Sequence, residues 1–178
     1  MKKTKKRAKN RNAFSIVENI SAEKYLTFFI DRQLYALPTS RIVEIIRMQP
    51  VTFFPNLPDY VKGVINLRGK IVPLVDMRLK FGKEAAPYGS RTSIIITESG
   101  EMTAGLIVDA VKDVRDVSKE QIFDAPGLKR GAQGRYVCSI ASLEKESAMV
   151  LDIARVLTER KDAKTGRPPE PALKTAAE

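Results

Sequence analysis

The sequence predicts an all-β protein built from small, closed barrels. Between residues 22 and 158 the apolar segments are short, rich in aliphatic and aromatic side chains, and separated by turn residues, which is typical of strands. We count about nine or ten such strands, few helices and no alternation of strands with helices, so a parallel α/β sheet is not expected. A chain of 178 residues has room for one domain with a substantial core, but not for two enzymatic domains.

The first elements predicted are a hairpin and a short helix. Two apolar runs at residues 24–30 and 33–37 flank a two-residue turn, as the arms of a hairpin do. A polar Pro-Thr-Ser segment can then cap a helix over residues 41–47, in which Glu44 points outward. The helical spacing would place three side chains on one buried face: Ile42, Ile45 and Ile46.

The middle of the chain is expected to form two more hairpins. Apolar arms at residues 64–66 and 71–75 surround a turn in which Gly69 can adopt the positive φ that a tight turn requires. Arg68 is therefore expected at an exposed hairpin tip. A further hairpin is predicted across the turn at Gly100.

The C-terminal part is expected to complete the barrels with three strands and a helix. Regularly spaced valines predict a strand at residues 111–117. A last strand pair is predicted at residues 136–143 and 148–151. Asp152 can then cap a terminal helix over residues 153–158.

The net charge of +10 is concentrated at the N-terminus, where residues 1–12 hold seven Lys or Arg and no acidic residue. Residues 13–157 are nearly neutral. We predict a basic, disordered arm at residues 1–21, with contact to anionic lipid or RNA as alternatives to simple solvation. Residues 159–178 lack apolar periodicity and are predicted to be a disordered tail.

The sequence favours a cytoplasmic location. No apolar run approaches the roughly 20 residues that a membrane-spanning helix needs. Polar residues follow the basic N-terminus where a secretory signal would have an apolar segment, so no export signal is expected. A single cysteine, Cys138, cannot form an intrachain disulfide, which fits a reducing compartment.

Residues for catalysis or metal binding are scarce, so an enzyme is not expected. The sequence has no histidine, which removes the commonest general base and zinc ligand. Cys138 has no possible histidine partner and is interpreted as a buried thiol in a strand. The carboxylates of Asp109, Asp113 and Asp116 alternate with Lys112 and Arg115, which favours a solvated, ion-paired face. We predict no metal and no cofactor.

Four segments resemble the CheW domain family. They are RIVEIIR, PDYVKGVINLRGKIVPLVDMRLKF, AGLIVDAVKDVRDVSKEQI and YVCSIASLEKESAMVLDIARVL. The second is similar to the family pattern KGV-NLRG--VP-VD-R--F, and the third to its G--VD-V-DV segment. The resemblance covers residues 22–158, which we therefore expect to be a CheW-like domain.

The resemblance implies two intertwined, five-stranded, SH3-like barrels with short helices, and a function without catalysis. Members of the family are adaptors that couple chemoreceptors, the methyl-accepting chemotaxis proteins, to a CheA-type histidine kinase. The implied partners are the hairpin tip of a receptor, the regulatory domain of the kinase, and other CheW-like domains in rings. The implied location is the inner face of the membrane, within receptor arrays.

The resemblance also assigns candidate site residues. Glu44 and Arg68 match a glutamate and the NLRG arginine linked to receptor or kinase coupling, and we expect them to pair. Five positions match residues implicated in the receptor groove: Ile42, Gly63, Gly105, Val111 and Val114. For Ile42 and the two valines, packing in the core is the alternative role.

Two features go beyond the resemblance. Phe53 and Phe54 make an unusually apolar loop, which is a partner patch if it is exposed and otherwise covers a barrel end. The basic arm raises the alternative of a small β-barrel protein that binds nucleic acid. Because residues 1–12 contain no aromatic side chain for stacking, nucleic acid is not the expected partner.

Overall fold

Strands dominate the computed structural model, which describes residues 22–124, 127 and 133–158. The predicted arm and tail, residues 1–21 and 159–178, lie outside the described residues. The described part of the chain contains two short α-helices, α1 (Met77–Lys80) and α2 (Ile153–Thr158). Its strands are β1 (Glu23–Ile30), β2 (Gln33–Pro38), β3 (Ile42–Arg47), β4 (Val61–Leu67), β5 (Lys70–Asp76), β6 (Ser93–Ser99), β7 (Met102–Val108), β8 (Ala110–Val117), β9 (Ile122–Asp124), β10 (Val137–Ser142) and β11 (Ser147–Leu151).

The strands form two mixed sheets, which confirms the all-β prediction. One sheet has six strands in the order β8-β1-β2-β11-β10-β9, and the other has five in the order β3-β6-β7-β5-β4. The chain therefore leaves the first sheet after β2, completes the second sheet, and returns at β8. The first sheet exceeds the expected five strands because the short strand β9 pairs with β10.

Three hydrophobic cores follow from this arrangement. One core lies within the six-stranded sheet and contains Leu34, Ala36 and Val150. A second lies within the five-stranded sheet and contains Leu74, Ile94 and Ile96. A third, larger core joins the two sheets, and we call it the inter-sheet core; its members include Leu26, Phe28, Tyr35, Ile95 and Leu106. Strand β6 is apolar on both faces because it contributes to two cores at once.

The three predicted hairpins are confirmed. Strands β1 and β2, β4 and β5, and β6 and β7 each pair in antiparallel register across a two-residue turn. In the middle hairpin Gly69 has a φ of +85°, as predicted, and Arg68 has a φ of +52°. Positive φ at both central residues is typical of the type I′ turn, whose twist matches that of the flanking strands. The Asn66 side chain accepts a hydrogen bond from the Gly69 N–H at 2.8 Å and supports this turn.

The helix predicted over residues 41–47 is wrong. A single 3₁₀ turn at Thr39–Arg41 leads directly into strand β3, which pairs with β6. Branched side chains fit a strand as well as a helix, and here the partner strand decides. Ile45 and Ile46 therefore lie on opposite faces of β3 instead of sharing one face.

The C-terminal elements follow the prediction with one exception. Strands β8, β10 and β11 and helix α2 occur as expected, and the Asp152 carboxylate accepts a hydrogen bond from the Arg155 N–H at 3.2 Å. Cys138, predicted to be buried, is exposed. The register of β10 against β11 breaks between Val137 and Ser139, so Cys138 is the extra residue of a bulge.

Candidate partner-binding site

One row of paired residues crosses the five-stranded sheet and contains three of the predicted site residues. From the β4 edge to the β3 edge it runs through Gly63, Leu74, Gly105, Ile96 and Glu44. Residues paired directly across neighbouring strands share a face of the sheet. Glu44 thus lies on the same face of the sheet as the buried side chains of Leu74 and Ile96. Because β3 is an edge strand, the Glu44 side chain still reaches solvent.

The Glu44 carboxylate forms an ion pair with Arg68, as the sequence predicts. The Arg68 Nη2 and Glu44 Oε2 atoms are 3.0 Å apart. Arg68 comes from the β4–β5 tip and Glu44 from the edge strand β3, so the pair connects the two edges of the sheet. The Arg68 side chain is 80% exposed and that of Glu44 is 22% exposed. A single contact with so much solvent around the arginine stabilises the fold by less than about 1 kcal/mol.

Packing accounts for both glycines of the row. Gly63 has a φ of +136°, and a Cβ at this position would lie 2.3 Å from the backbone oxygen of Thr52. The Thr52 segment is held there by two backbone hydrogen bonds of 2.9 Å to Val64. A Cβ on Gly105 would lie 2.5 Å from a methyl group of Leu74, inside the sheet. Glycine allows the close approach of a backbone oxygen at position 63 and of side-chain methyl groups at position 105.

The other three predicted groove residues lie against the inter-sheet core or beside it. Ile42 at the start of β3 and Val111 on β8 both pack against this core. Val111 lies opposite Phe28, and Val114 lies opposite Leu26, so both valines face the same side of their sheet. Val114 is nevertheless 52% exposed, which leaves an accessible apolar surface where the core ends.

Strand β3 adds two exposed apolar side chains that the sequence did not predict. Ile45 lies opposite Ile95, a member of the inter-sheet core, and Ile45 itself is 42% exposed. Val43 is half exposed at the register break of β3. The predicted helix would have buried Ile45. Each alternating set of β3 residues contains two apolar side chains and one charged one, so hydrophobic alternation gives no signal that could have revealed them.

The apolar loop before β4 is exposed at its centre. Phe53 is 73% exposed and Phe54 is 49% exposed, and Leu57 is also exposed. The loop is anchored by Met48 and Val51, which pack against the core of the five-stranded sheet. Because the two phenylalanines are exposed, the loop is expected to be a partner patch and not the cover of a barrel end.

The charged residues on β8 form ion pairs, as expected for a solvated face. Asp116 pairs with Lys24 at 2.7 Å, and Asp113 pairs with Arg115 at 2.8 Å. Burial alone would raise the pKa of Asp113, but hydrogen bonds from Thr27 and Arg115 lower it on balance. Among the described residues, no cluster of three or more Cys, Asp or Glu side chains could hold a metal ion.

Comparison with known proteins identifies the family. A family model described as the CheW-like domain matches residues 24–161. The chain belongs to the CheW-like family. This CheW-like chain is 32% identical over 136 residues to the chemotaxis protein CheW of Klebsiella aerogenes, a match covering 76% of this chain and 82% of the relative. It is 28% identical over 141 residues to the probable chemotaxis protein CheW of Rhizobium etli, covering 79% and 91% respectively.

A solved structure supports the same assignment. The crystal structure of the scaffolding protein TtCheW from Thermoanaerobacter tengcongensis matches this CheW-like chain with a TM-score of 0.73 and 28% sequence identity. The match covers 78% of this chain and 94% of that one. This CheW-like chain is therefore a scaffold of chemotaxis signalling and not an enzyme, and the nucleic-acid alternative gains no support. No helix in the described part of the chain is long and apolar enough to cross a membrane.

Proposed function

We propose that this chain couples chemoreceptors to a CheA-type histidine kinase through contacts on two sides of its fold. The observation that supports this most directly is the ion pair between Arg68 and Glu44. It is too exposed to contribute much stability, yet a type I′ turn and an edge strand hold it in a defined geometry. The guanidinium of Arg68 is therefore accessible to a binding partner. We assign Arg68 and Glu44 to coupling with receptor or kinase.

The receptor contact in this proposal lies where the inter-sheet core reaches the surface. Ile42, Val111 and Val114 border this surface, and exposed Ile45 extends it. An amphipathic helix binds such a surface by laying its apolar stripe against branched side chains. The hairpin tip of a receptor provides helices of this kind, so we propose it as the ligand of this groove.

The kinase contact in this proposal uses the kinase's regulatory domain, which alternates with CheW-like domains in rings. The loop with Phe53 and Phe54 is a candidate for one of these contacts, because large exposed aromatic side chains are enriched at protein interfaces. Assembly with receptors would place the chain in the cytoplasm at the inner face of the membrane, within receptor arrays.

The basic arm is proposed to make a weak, accessory contact with anionic lipid. Each Lys or Arg close to an anionic membrane surface contributes about 1 kcal/mol to binding. Deletion of residues 1–12 is expected to reduce binding to vesicles that contain phosphatidylserine, and to leave receptor-dependent kinase activation unchanged. Complete loss of kinase activation in the deletion variant would refute the accessory role.

The test of the proposed function is a binding and activity assay with purified components. The chain is mixed with the host's CheA-like kinase, with receptor cytoplasmic fragments, and with both. We expect binding to each partner and activation of the kinase only when receptor, kinase and this chain are all present. Binding to neither partner would overturn the proposal.

A further inference from the structure

The chain passes from the five-stranded to the six-stranded sheet at Asp109, between β7 and β8. Arg78 of helix α1 binds this residue with two arms of its guanidinium: Nε lies 2.7 Å from Oδ1, and Nη2 lies 2.7 Å from Oδ2. The backbone N–H of Asp109 donates a hydrogen bond of 3.0 Å to the Phe29 oxygen of strand β1. Asp109 is thus bound from both sides of the junction at once.

Two further charges join this pair. The Asp109 carboxylate also accepts a hydrogen bond from the backbone N–H of Asp31, in the β1–β2 turn. Arg78 Nη1 lies 3.6 Å from Asp31 Oδ1, and Lys83 Nζ lies 3.2 Å from Asp31 Oδ2. The cluster therefore ties α1, which follows β5 of the five-stranded sheet, to the first hairpin of the six-stranded sheet.

The environment of the cluster favours a persistent contact. The Arg78 side chain is only 23% exposed and that of Asp109 is 30% exposed, unlike Arg68 at the hairpin tip. The hydrogen bonds to Asp109 raise the pKa of Arg78, and the hydrogen bond from Lys83 is the main cause that lowers the pKa of Asp31. A planar guanidinium that binds a carboxylate with two parallel contacts fixes direction as well as distance.

We propose that Arg78 is a positioning residue: through Asp109 it holds strand β8, which carries two of the residues of the proposed receptor surface, at a fixed place relative to the five-stranded sheet. Val111 follows Asp109 by two residues and packs against the inter-sheet core, so a movement of Asp109 moves this surface. The expected effect of Arg78 on receptor binding rests on the proposed function. Its effect on the position of β8 does not, because that effect involves only residues of this chain.

The same strand offers a matched control. Arg115 also pairs with an aspartate, Asp113, but both residues belong to β8, so their contact does not connect the two sheets. Substitution to lysine keeps the positive charge and removes the planar fork in either case. Comparing Arg78→Lys with Arg115→Lys therefore separates a link between sheets from an ion pair within one sheet.

The first test measures the distance between the sheets and needs no partner. In a Cys138→Ser background, spin labels are placed at Glu101→Cys in the β6–β7 turn and Lys145→Cys in the β10–β11 turn, two exposed sites on different sheets. We expect Arg78→Lys to broaden or shift the distance distribution from electron double resonance, and Arg115→Lys to leave it unchanged. An unchanged distribution in Arg78→Lys would overturn the proposal. If circular dichroism shows that Arg78→Lys does not fold, Asp109→Asn, which keeps the side chain's shape, takes its place.

The second test measures affinity for the two partners. Arg78→Lys is expected to weaken binding of a receptor fragment about tenfold and to leave kinase binding within about twofold, while Arg115→Lys leaves both within about twofold. Equal losses for the two partners in Arg78→Lys would contradict a role at the groove and indicate general destabilisation. If the unmodified chain binds neither partner, the proposed function fails, and the spin-label distances still decide the positional role.

Discussion

The middle of the five-stranded sheet and the tip of its β4–β5 hairpin differ in whether packing explains the residues found there. In the middle, Gly63 and Gly105 stand where any side chain would collide with a neighbour. At the tip, Arg68 is largely exposed, and its ion pair with Glu44 contributes little to folding. The same family resemblance indicates all four residues, yet packing explains only the two glycines, so the tip is the better place to look for function.

The largest effect on stability is expected from Gly63→Ala. The new methyl group would meet the backbone of Thr52, which cannot rotate away, and alanine would be strained at a φ of +136°. We expect a loss of about 3 kcal/mol in the free energy of unfolding, measured by urea denaturation. Gly100→Ala is the control, because Gly100 also has a positive φ, of +62°, but no atom lies within 4 Å of its added Cβ. Equal losses in the two variants would show that the contact with Thr52 adds nothing to the cost.

A smaller loss is expected from Gly105→Ala. Here the added methyl group meets the side-chain ends of Leu74 and Ile94, at 2.5 and 2.7 Å, and these ends can shift. We expect a loss of about 1–2 kcal/mol in the same denaturation experiment. If kinase activation fails while the free energy of unfolding is unchanged, Gly105 belongs with the tip residues and the contrast between the regions breaks down.

Arg68→Glu is expected to change stability by less than about 1 kcal/mol and to abolish receptor-dependent kinase activation. The substitution places two carboxylates together at the tip and removes the group proposed to contact a partner. Lys70→Glu makes the same charge change in the same hairpin and should keep activation. Undiminished activation by Arg68→Glu would remove Arg68 from the site.

The double variant Glu44→Arg with Arg68→Glu sharpens this result. It restores an ion pair of reversed polarity between the same two positions. Activation that returns in the double variant would show that the pair acts by fixing the hairpin tip. Activation that stays lost would show that a partner contacts the guanidinium of Arg68 itself.

The smallest change in stability is expected from Phe53→Ser combined with Phe54→Ser. Both side chains are exposed, so their removal should change the free energy of unfolding by no more than about 0.5 kcal/mol each. Binding to the kinase or to other CheW-like domains should weaken, as measured by titration calorimetry. Val51→Ser in the same loop is the control, because Val51 packs against a core and its loss should destabilise the fold instead. Unchanged binding would exclude the loop from the interfaces.

Local sequence signals predicted most of the fold, because hairpins depend on neighbouring residues and on turn glycines such as Gly69 and Gly100. They failed at β3, where the spacing of Ile42, Ile45 and Ile46 suits a helix and only the pairing with β6 decides the outcome. They also failed at Cys138, since a bulge depends on the register of the partner strand.

The candidate site was less accessible to prediction from local signals. The pairing of Glu44 with Arg68 was expected only through the family resemblance, because 24 residues separate them in sequence. The contact of Arg78 with Asp109 spans 31 residues and depends on how the chain crosses between sheets, so no local pattern indicates it. Contacts that depend on topology require the folded arrangement.

The chain's return to its first sheet has a consequence for folding during synthesis. Strand β1 pairs with β8, and strand β2 pairs with β11. The strands that pair with the first hairpin are therefore synthesised some 80 to 115 residues after it. The five-stranded sheet, from β3 to β7, is continuous in sequence and can assemble in the interval. Nascent chains that stop before β11 therefore keep an apolar hairpin that lacks at least one of its two neighbouring strands, and such chains are the ones that chaperones and proteases will recognise.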